Sequence, residues 1–144
     1  MSAHFRTDVH LRWADIDANF HLRHSVYYDL CAQQRMAALS SIGLSMDVMQ
    51  QLAIGPILFR EECIFHKEIK LTDTIHIDLA LRGLSKDLRK FAFEHRLIKA
   101  DGTLCATAIA EGAWMDTRAR RITPPPELVK AALDKLPRTA DLTW

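Results

Sequence analysis

Between Ser25 and Ile42 the chain carries a helical pattern whose apolar residues do not keep to one side. Val26, Tyr27, Leu30, Cys31, Ala37, Ala38, Leu39 and Ile42 cover most of the circumference, and only Gln33, Gln34 and Arg35 interrupt them. A helix apolar nearly all round is a buried helix, so the remaining chain must wrap around it. Ser25 is the expected N-cap, and Gly43 supplies the stop. With 144 residues there is enough chain for one domain, residues 1–144, to bury most of such a core.

Beyond the helix the chain reads mostly as strand. Residues 45–53 form a short amphipathic helix closed by Gly55-Pro56. Residues 57–69 then place Ile57, Phe59, Cys63, Phe65 and Ile69 on one face. Residues 74–82 alternate Ile75, Ile77, Leu79 and Leu81 against His76 and Asp78, and residues 89–99 align Phe91, Phe93 and Leu97. Asp101-Gly102 is a hairpin signal, and the strand 103–116 after it carries Ala106, Ala108, Ala110 and Gly112 on a face of small side chains. The buried helix is expected to pack there. Before the helix, residues 5–13 form a strand with Phe5, Val9, Leu11 and Trp13 on one side, and residues 14–23 form a loop. Pro124-Pro125-Pro126 ends the body of the fold, and a tail helix covers about 127–136. The sum is an α+β domain, an antiparallel sheet curled around one long helix.

Several functional classes drop out on composition. A net charge of +1 gives no global field for nucleic acid. The apolar runs fall short of the ~20 residues a membrane span needs. The first residues, Met1 to Arg6, lack the apolar core of a signal peptide, so a cytoplasmic location is expected. Cys31, Cys63 and Cys105 are far apart among apolar neighbours and read as reduced, buried thiols; no Cys-x-x-Cys occurs.

The chemistry concentrates in the loop Arg12-Trp13-Ala14-Asp15-Ile16-Asp17-Ala18-Asn19-Phe20-His21. It ends a strand and precedes the buried helix, which aims Asp17 at a helix N-terminus where unpaired amides can hold a developing negative charge. An acid beside such an end suggests acyl transfer. Taken alone, a loop aspartate more often caps a turn or helix, and both roles stay open at this point. Asp15 and Asn19 read as structural, Asn19 through its side chain. His21 reads as bracing the loop through its ring nitrogens. His21 and His24 with Asp17 make only a weak metal set, and no metal is expected.

This order of elements, with Arg12, Trp13, Asp15, Asp17, His21, Leu22, Tyr27, Asp29 and Arg35 at matching spacings, resembles the 4-hydroxybenzoyl-CoA thioesterase family of hotdog-fold acyl-CoA thioesterases. Asp73 and the Pro-Pro-Pro-Glu segment match as well, so the resemblance covers about residues 5–130. It implies that Asp17 is the catalytic carboxylate, attacking the thioester or activating a water. It also places His24 near the acyl group; Tyr27 and Tyr28 read first as packing residues, with Tyr27 a candidate to line the acyl tunnel. Amides around Gly55, Ile57 and Leu58, or at the start of the helix, become candidates to grip the carbonyl oxygen. The cluster Lys86, Arg89 and Lys90 would hold the phosphates of coenzyme A, although from its residues alone it reads equally as an ordinary solvated turn; Arg118, Arg120 and Arg121 read as surface. Gln33 and Gln34 stand where relatives often carry acids, which throws the chemistry onto Asp17. The chain departs from the pattern at Phe20, where the family has glycine, and at Arg23-His24, where it has Asn-Asn. Phe20 lacks glycine's backbone freedom, so a different loop path is expected.

The implied reaction is hydrolysis of an acyl-CoA, or an acyl carrier protein thioester, without a cofactor. A non-catalytic acyl-CoA binder is the next reading. A hotdog hydratase ranks last, because Asp17-Ala18-Asn19-Phe20-His21 only approaches that group's Asp-x-Asn-Pro-x-His. The open sheet edge of such a subunit implies a homodimer or homotetramer.

Overall fold

The computed structural model describes residues 5–143, with side chains through residue 140. The elements are β1 (Phe5–Val9), a 3-10 turn (Trp13–Asp15), α1 (Val26–Ser41), α2 (Met46–Gln51), β2 (Ile54–Phe65), β3 (Ile75–Leu84), β4 (Lys90–Lys99), β5 (Leu104–Asp116), β6 (Arg121–Ile122), α3 (Glu127–Leu133) and β7 (Arg138–Thr143). One sheet runs β1-β3-β4-β5-β2, antiparallel throughout. The short β6 adds to β5, and β7 runs parallel to β3 at Leu81 and Gly83, beyond the stretch that β1 occupies. The sheet curls over α1, which is the hotdog arrangement. No helix among the described residues is long and apolar enough to cross a membrane.

The core divides along the length of α1. Near its start, Val26, Tyr27 and Cys31 meet Leu22, Ile69, Ile75, Ile77, Leu97 and Ala106. Near its end, Ala38 and Leu39 join Leu44, Leu79, Leu81, Phe91, Phe93, Trp114 and residues of α3. Hydrophobic burial on this scale, at ~25 cal/mol per Å2, is what holds helix and sheet together.

The structure corrects several sequence expectations. Only one side of α1 is buried; Asp29, Ala32, Gln33 and Ser40 face out, while Gln34 and Arg35 lie inside. The polar pair therefore sits on the buried stripe instead of interrupting it. Ser25 gives no side-chain cap: its backbone is already helical, and its hydroxyl accepts a bond from Arg23 Nε at 3.0 Å. Gly55-Pro56 does not end an element but lies within β2, which stops at Phe65 and leaves 66–69 outside. β2 is an edge strand, where a missing proline N–H is tolerated.

Trp13 is not on the β1 face. The chain leaves the sheet after Val9, and Trp13 opens the 3-10 turn, exposed. The tail helix ends at Leu133, and β6 and β7 have no counterpart in the sequence reading. Cys31 and Cys105 are buried, but Cys63 is only half-buried. Gly112 is small for a reason other than the helix: a Cβ there would lie 2.0 Å from the Ile57 carbonyl oxygen of β2. This close approach adjoins the irregularity in the β2–β5 pairing between Leu58 and Arg60.

Candidate functional site

The loop before α1 is fixed from both carboxylates outward. Asp15 is 2% exposed, and its side chain takes bonds from the Arg12 amide (3.0 Å), Nε and Nη2 (2.8 Å). These hydrogen bonds from Arg12 outweigh burial and hold its carboxyl below the usual range. The Asp15 carbonyl in turn accepts from the Arg23 amide at 2.7 Å, tying the loop's start to the approach of α1.

Asp17 closes the tip. Its Oδ1 accepts from the amides of Asn19 (2.9 Å) and His21 (3.2 Å), and its own backbone pairs with that of His21 and accepts from Phe20. The engaged groups of Asn19 and His21 are thus their backbones, not the side chain and ring the sequence suggested. Phe20 takes φ +66°, the left-handed region where the family has glycine, and leaves its ring exposed. Phe20 thus holds a left-handed turn that glycine adopts without steric cost. The local hydrogen bonds of Asp17 offset a strain of ~1–2 kcal/mol.

Beside this tip opens a pocket of about 360 Å3 lined by Asp17, His21, Leu22, His24, Tyr27, Phe65, His66, Lys67 and Glu68. Asp17 Oδ1 is taken by the loop, while Oδ2 accepts no protein hydrogen bond among the described residues. His24 sits on the rim, and Tyr27, in the first turn of α1, forms the wall edge-on to Phe65, ring centroids 4.9 Å apart. Burial pushes the Tyr27 phenol up to about 12, so it stays protonated. In the first turn of α1 the Val26 amide donates to the Arg23 carbonyl at 3.0 Å, while the amides of Tyr27 and Tyr28 have no backbone acceptor among the described residues. Among the described residues no set of three or more His, Cys, Asp or Glu side chains is arranged to hold a metal ion.

The remaining sequence candidates lie elsewhere. Ile57 pairs with Ala113, and Ala113 pairs with Lys90, so Gly55, Ile57, Leu58 and the turn bearing Lys86, Arg89 and Lys90 share one end of the sheet. Phe65, Ala106 and Leu97 form the row near Asp17. The two rows are separated by roughly 25 Å at the ~3.3 Å rise of a strand. Arg89 is paired to Asp87 at 3.1 Å, and Lys86 and Lys90 are exposed. Within one chain these groups and Asp17 do not form one site.

The structure also shows a feature absent from the sequence reading. His95 is fully buried, its Nδ1 2.8 Å from Gln34 Oε1 and its Nε2 3.0 Å from Arg35 Nη1. Arg35 can only donate, so Nε2 accepts and Nδ1–H donates to Gln34. Gln34 passes its own N–H groups to the carbonyls of Ile77 and Phe5. Burial and the Arg35 charge press the His95 ring down to about 3, keeping it neutral. Arg35 then lines a second pocket, about 160 Å3, with Ala32, Met36, Leu39, Pro56, Leu58, Phe91 and Phe93. Parity on β4 was the available signal: His95 falls on the same face as Phe91, Phe93 and Leu97.

Comparison with known proteins agrees with the fold. The family model for the thioesterase-like superfamily matches residues 11–133. A Staphylococcus aureus protein solved in complex with CoA superposes with a TM-score of 0.84 at 21% identity, covering 97% of this chain and 90% of that one. A 1,4-dihydroxy-2-naphthoyl-CoA thioesterase from Synechocystis gives 0.80 at 18% identity, covering 92% and 96%. A gentisyl-coenzyme A thioesterase gives 0.76 at 22%, covering 90% and 99%. At these identities the likeness speaks for the fold alone. The search of the curated proteins found no significant match.

Proposed function

Because the chain belongs to the thioesterase-like superfamily, we propose that it hydrolyses an acyl-CoA to the carboxylic acid and free CoA, acting as a single domain of the 4-hydroxybenzoyl-CoA thioesterase type. One observation carries the reading. Asp17 lines a pocket that also takes in Tyr27 of the first turn of α1, and its Oδ1 is pinned by its own loop while Oδ2 accepts no protein hydrogen bond among the described residues. In the water route, Oδ2 takes a proton from a water whose oxygen attacks the thioester carbon. The carbonyl electrons move onto oxygen, where first-turn amides of α1 stabilise them, and collapse expels the CoA thiolate. In the nucleophilic route, Oδ2 attacks directly and water cleaves the resulting anhydride. His24 and Tyr27 shape the acyl side of the pocket. CoA as the carrier is supported by the similar structure solved with it and by the two similar CoA thioesterases.

The wide separation of the cationic turn from Asp17 supports a dimer. β2 pairs only with β5 among the described residues, and its open edge exposes Leu58, Phe59, Ile64 and Phe65. Two β2 edges related by a two-fold axis run antiparallel. That sets the Gly55 end of one beside the Phe65 end of the other, bringing Lys86, Arg89 and Lys90 toward the partner's Asp17. The test is thiol release from a panel of acyl-CoAs, run beside light scattering at micromolar concentration. Activity in a monomer overturns the shared-site proposal, and no thiol release across the panel overturns the hydrolase.

A further inference from the structure

The second pocket has walls of one chemical kind and a single exception. Met36, Leu39, Leu58, Phe91 and Phe93 make it apolar, and Arg35 supplies its one charge. Arg35 is 9% exposed and enters none of the ion pairs found among the described residues. Glu61 exerts an opposing charge on it without forming an ion pair. A buried guanidinium without a counter-charge is costly. Burial accordingly pulls its affinity for the proton down.

The guanidinium is also held from behind. One of its five donors goes to His95, which is backed by Gln34 and, through it, by the carbonyls of β3 and β1. Nε and Nη2 have no protein acceptor among the described residues, and both keep some access to solvent. A planar fork with free parallel donors matches a carboxylate. The pocket's volume of about 160 Å3 is close to that of an apolar cavity of about 150 Å3 that holds benzene, a body of about six non-hydrogen atoms.

We propose that this pocket binds a small organic carboxylate, its apolar body of about five to six non-hydrogen atoms against Leu58, Phe91 and Phe93 and its charge on Arg35. Two sources share that chemistry: the far end of a carboxyacyl thioester, and a free acid such as the product of hydrolysis. The binding claim does not need the hydrolase reading, but the choice of source does.

Calorimetric titration of the full chain with butanoate, hexanoate and benzoate, each against its isosteric amide, tests it. The acids are expected to bind at least about tenfold more tightly than the amides, and Arg35→Gln to shrink the gap to less than about twofold. Should Arg35→Gln fail to fold, Ala32→Leu fills the rim from the exposed side of α1 and is expected to weaken acid binding by about tenfold or more. Equal binding of acid and amide overturns the proposal, as does unchanged acid binding in the folded variants. Thiol release then separates the sources. If the site takes the substrate's end, Arg35→Gln lowers kcat/KM for an ω-carboxyacyl-CoA and spares the plain acyl-CoA of equal length. If it takes free acid, both thioesters turn over alike and only inhibition by the acid disappears. With no thiol release at all, the titrations still decide the binding claim.

Discussion

Replacing Asp17 by asparagine separates the chemistry of the carboxylate from its part in the loop. An asparagine carbonyl oxygen can stand where Oδ1 stands and still accept from the amides of Asn19 and His21, at 2.9 and 3.2 Å in the native loop. The variant loses the charge and the basic Oδ2, and the two bonds weaken from charge-assisted to neutral. On a half-exposed loop that is expected to cost less than about 1 kcal/mol, a shift of roughly 3 °C in melting temperature. The chemical loss is far larger, because a positioned base contributes ~10²–10⁴-fold. kcat/KM is expected to fall about 10³-fold, equivalent to ~4 kcal/mol of barrier. Asp17→Ala removes both loop bonds as well, ~1 kcal/mol each, and should melt about 7 °C lower than native. Thiol-release kinetics and thermal melts of the two variants read both effects. Asp17→Asn turnover within threefold of native in a folded protein would refute the catalytic assignment. Equal melting losses in the two variants would refute the account of Oδ1.

Other parts of the fold yield three further expected outcomes. Gly112→Ala sets a methyl 2.0 Å from a backbone oxygen of β2, where no rotamer can relieve it. Its denaturant midpoint should drop by the equivalent of about 3 kcal/mol or more, and an unchanged midpoint would show that β2 moves freely. Phe20→Gly relieves a residue at φ +66° whose ring is exposed; after glycine's own entropy cost the gain is about 0.5–1 kcal/mol, read by chemical denaturation. His95 is held neutral, its folded pKa of about 3 lying below the ordinary value of 6.5. The unfolded chain therefore binds one more proton between those values, and stability should fall as pH drops from about 6.5 toward 3. The Asp15 contribution is lost only below the ordinary carboxylate range, as its depressed folded pKa is approached. In His95→Gln the decline above pH 5 should flatten, and a native-like slope there would remove His95 as its source.

The fold was legible because its strongest signals are local. The alternation in β3 and β4 and the apolar wealth of α1 depend on burial, and burial writes periodicity directly into sequence. The loop was legible in its residue types but not in its bonds: Asn19 and His21 engage Asp17 through backbone amides, to which side-chain identity is blind. Gly112 shows the same limit, since its small size answers a carbonyl of β2 brought close by long-range pairing. Gln34 and Arg35 were illegible for a different reason, and the burial of His95 showed only in its parity on β4. Polarity in a sequence points to exposure, whereas these three are buried in one hydrogen-bonded chain that still leaves Arg35 Nε and Nη2 without a protein acceptor among the described residues.

The separation of the candidate groups carries the most weight for function. A strand translates sequence distance into length with little slack, so residues at rows Ile57–Ala113–Lys90 and Phe65–Ala106–Leu97 cannot converge in one subunit without breaking the sheet. Either the basic turn has no part in binding, or a second copy supplies it. The open β2 edge favours the second alternative, because Leu58 and Phe59 at one end and Ile64 and Phe65 at the other leave apolar side chains exposed on either side of the charged Arg60, Glu61 and Glu62. Charge reversal at Lys86 and Lys90 distinguishes the two. With a shared site, Lys86→Glu/Lys90→Glu should raise KM for an acyl-CoA about tenfold or more, leave kcat within about twofold, and lose most of its effect against a pantetheine thioester that lacks the nucleotide phosphates. An unchanged KM for the CoA thioester would leave Asp17 with a site built from its own subunit.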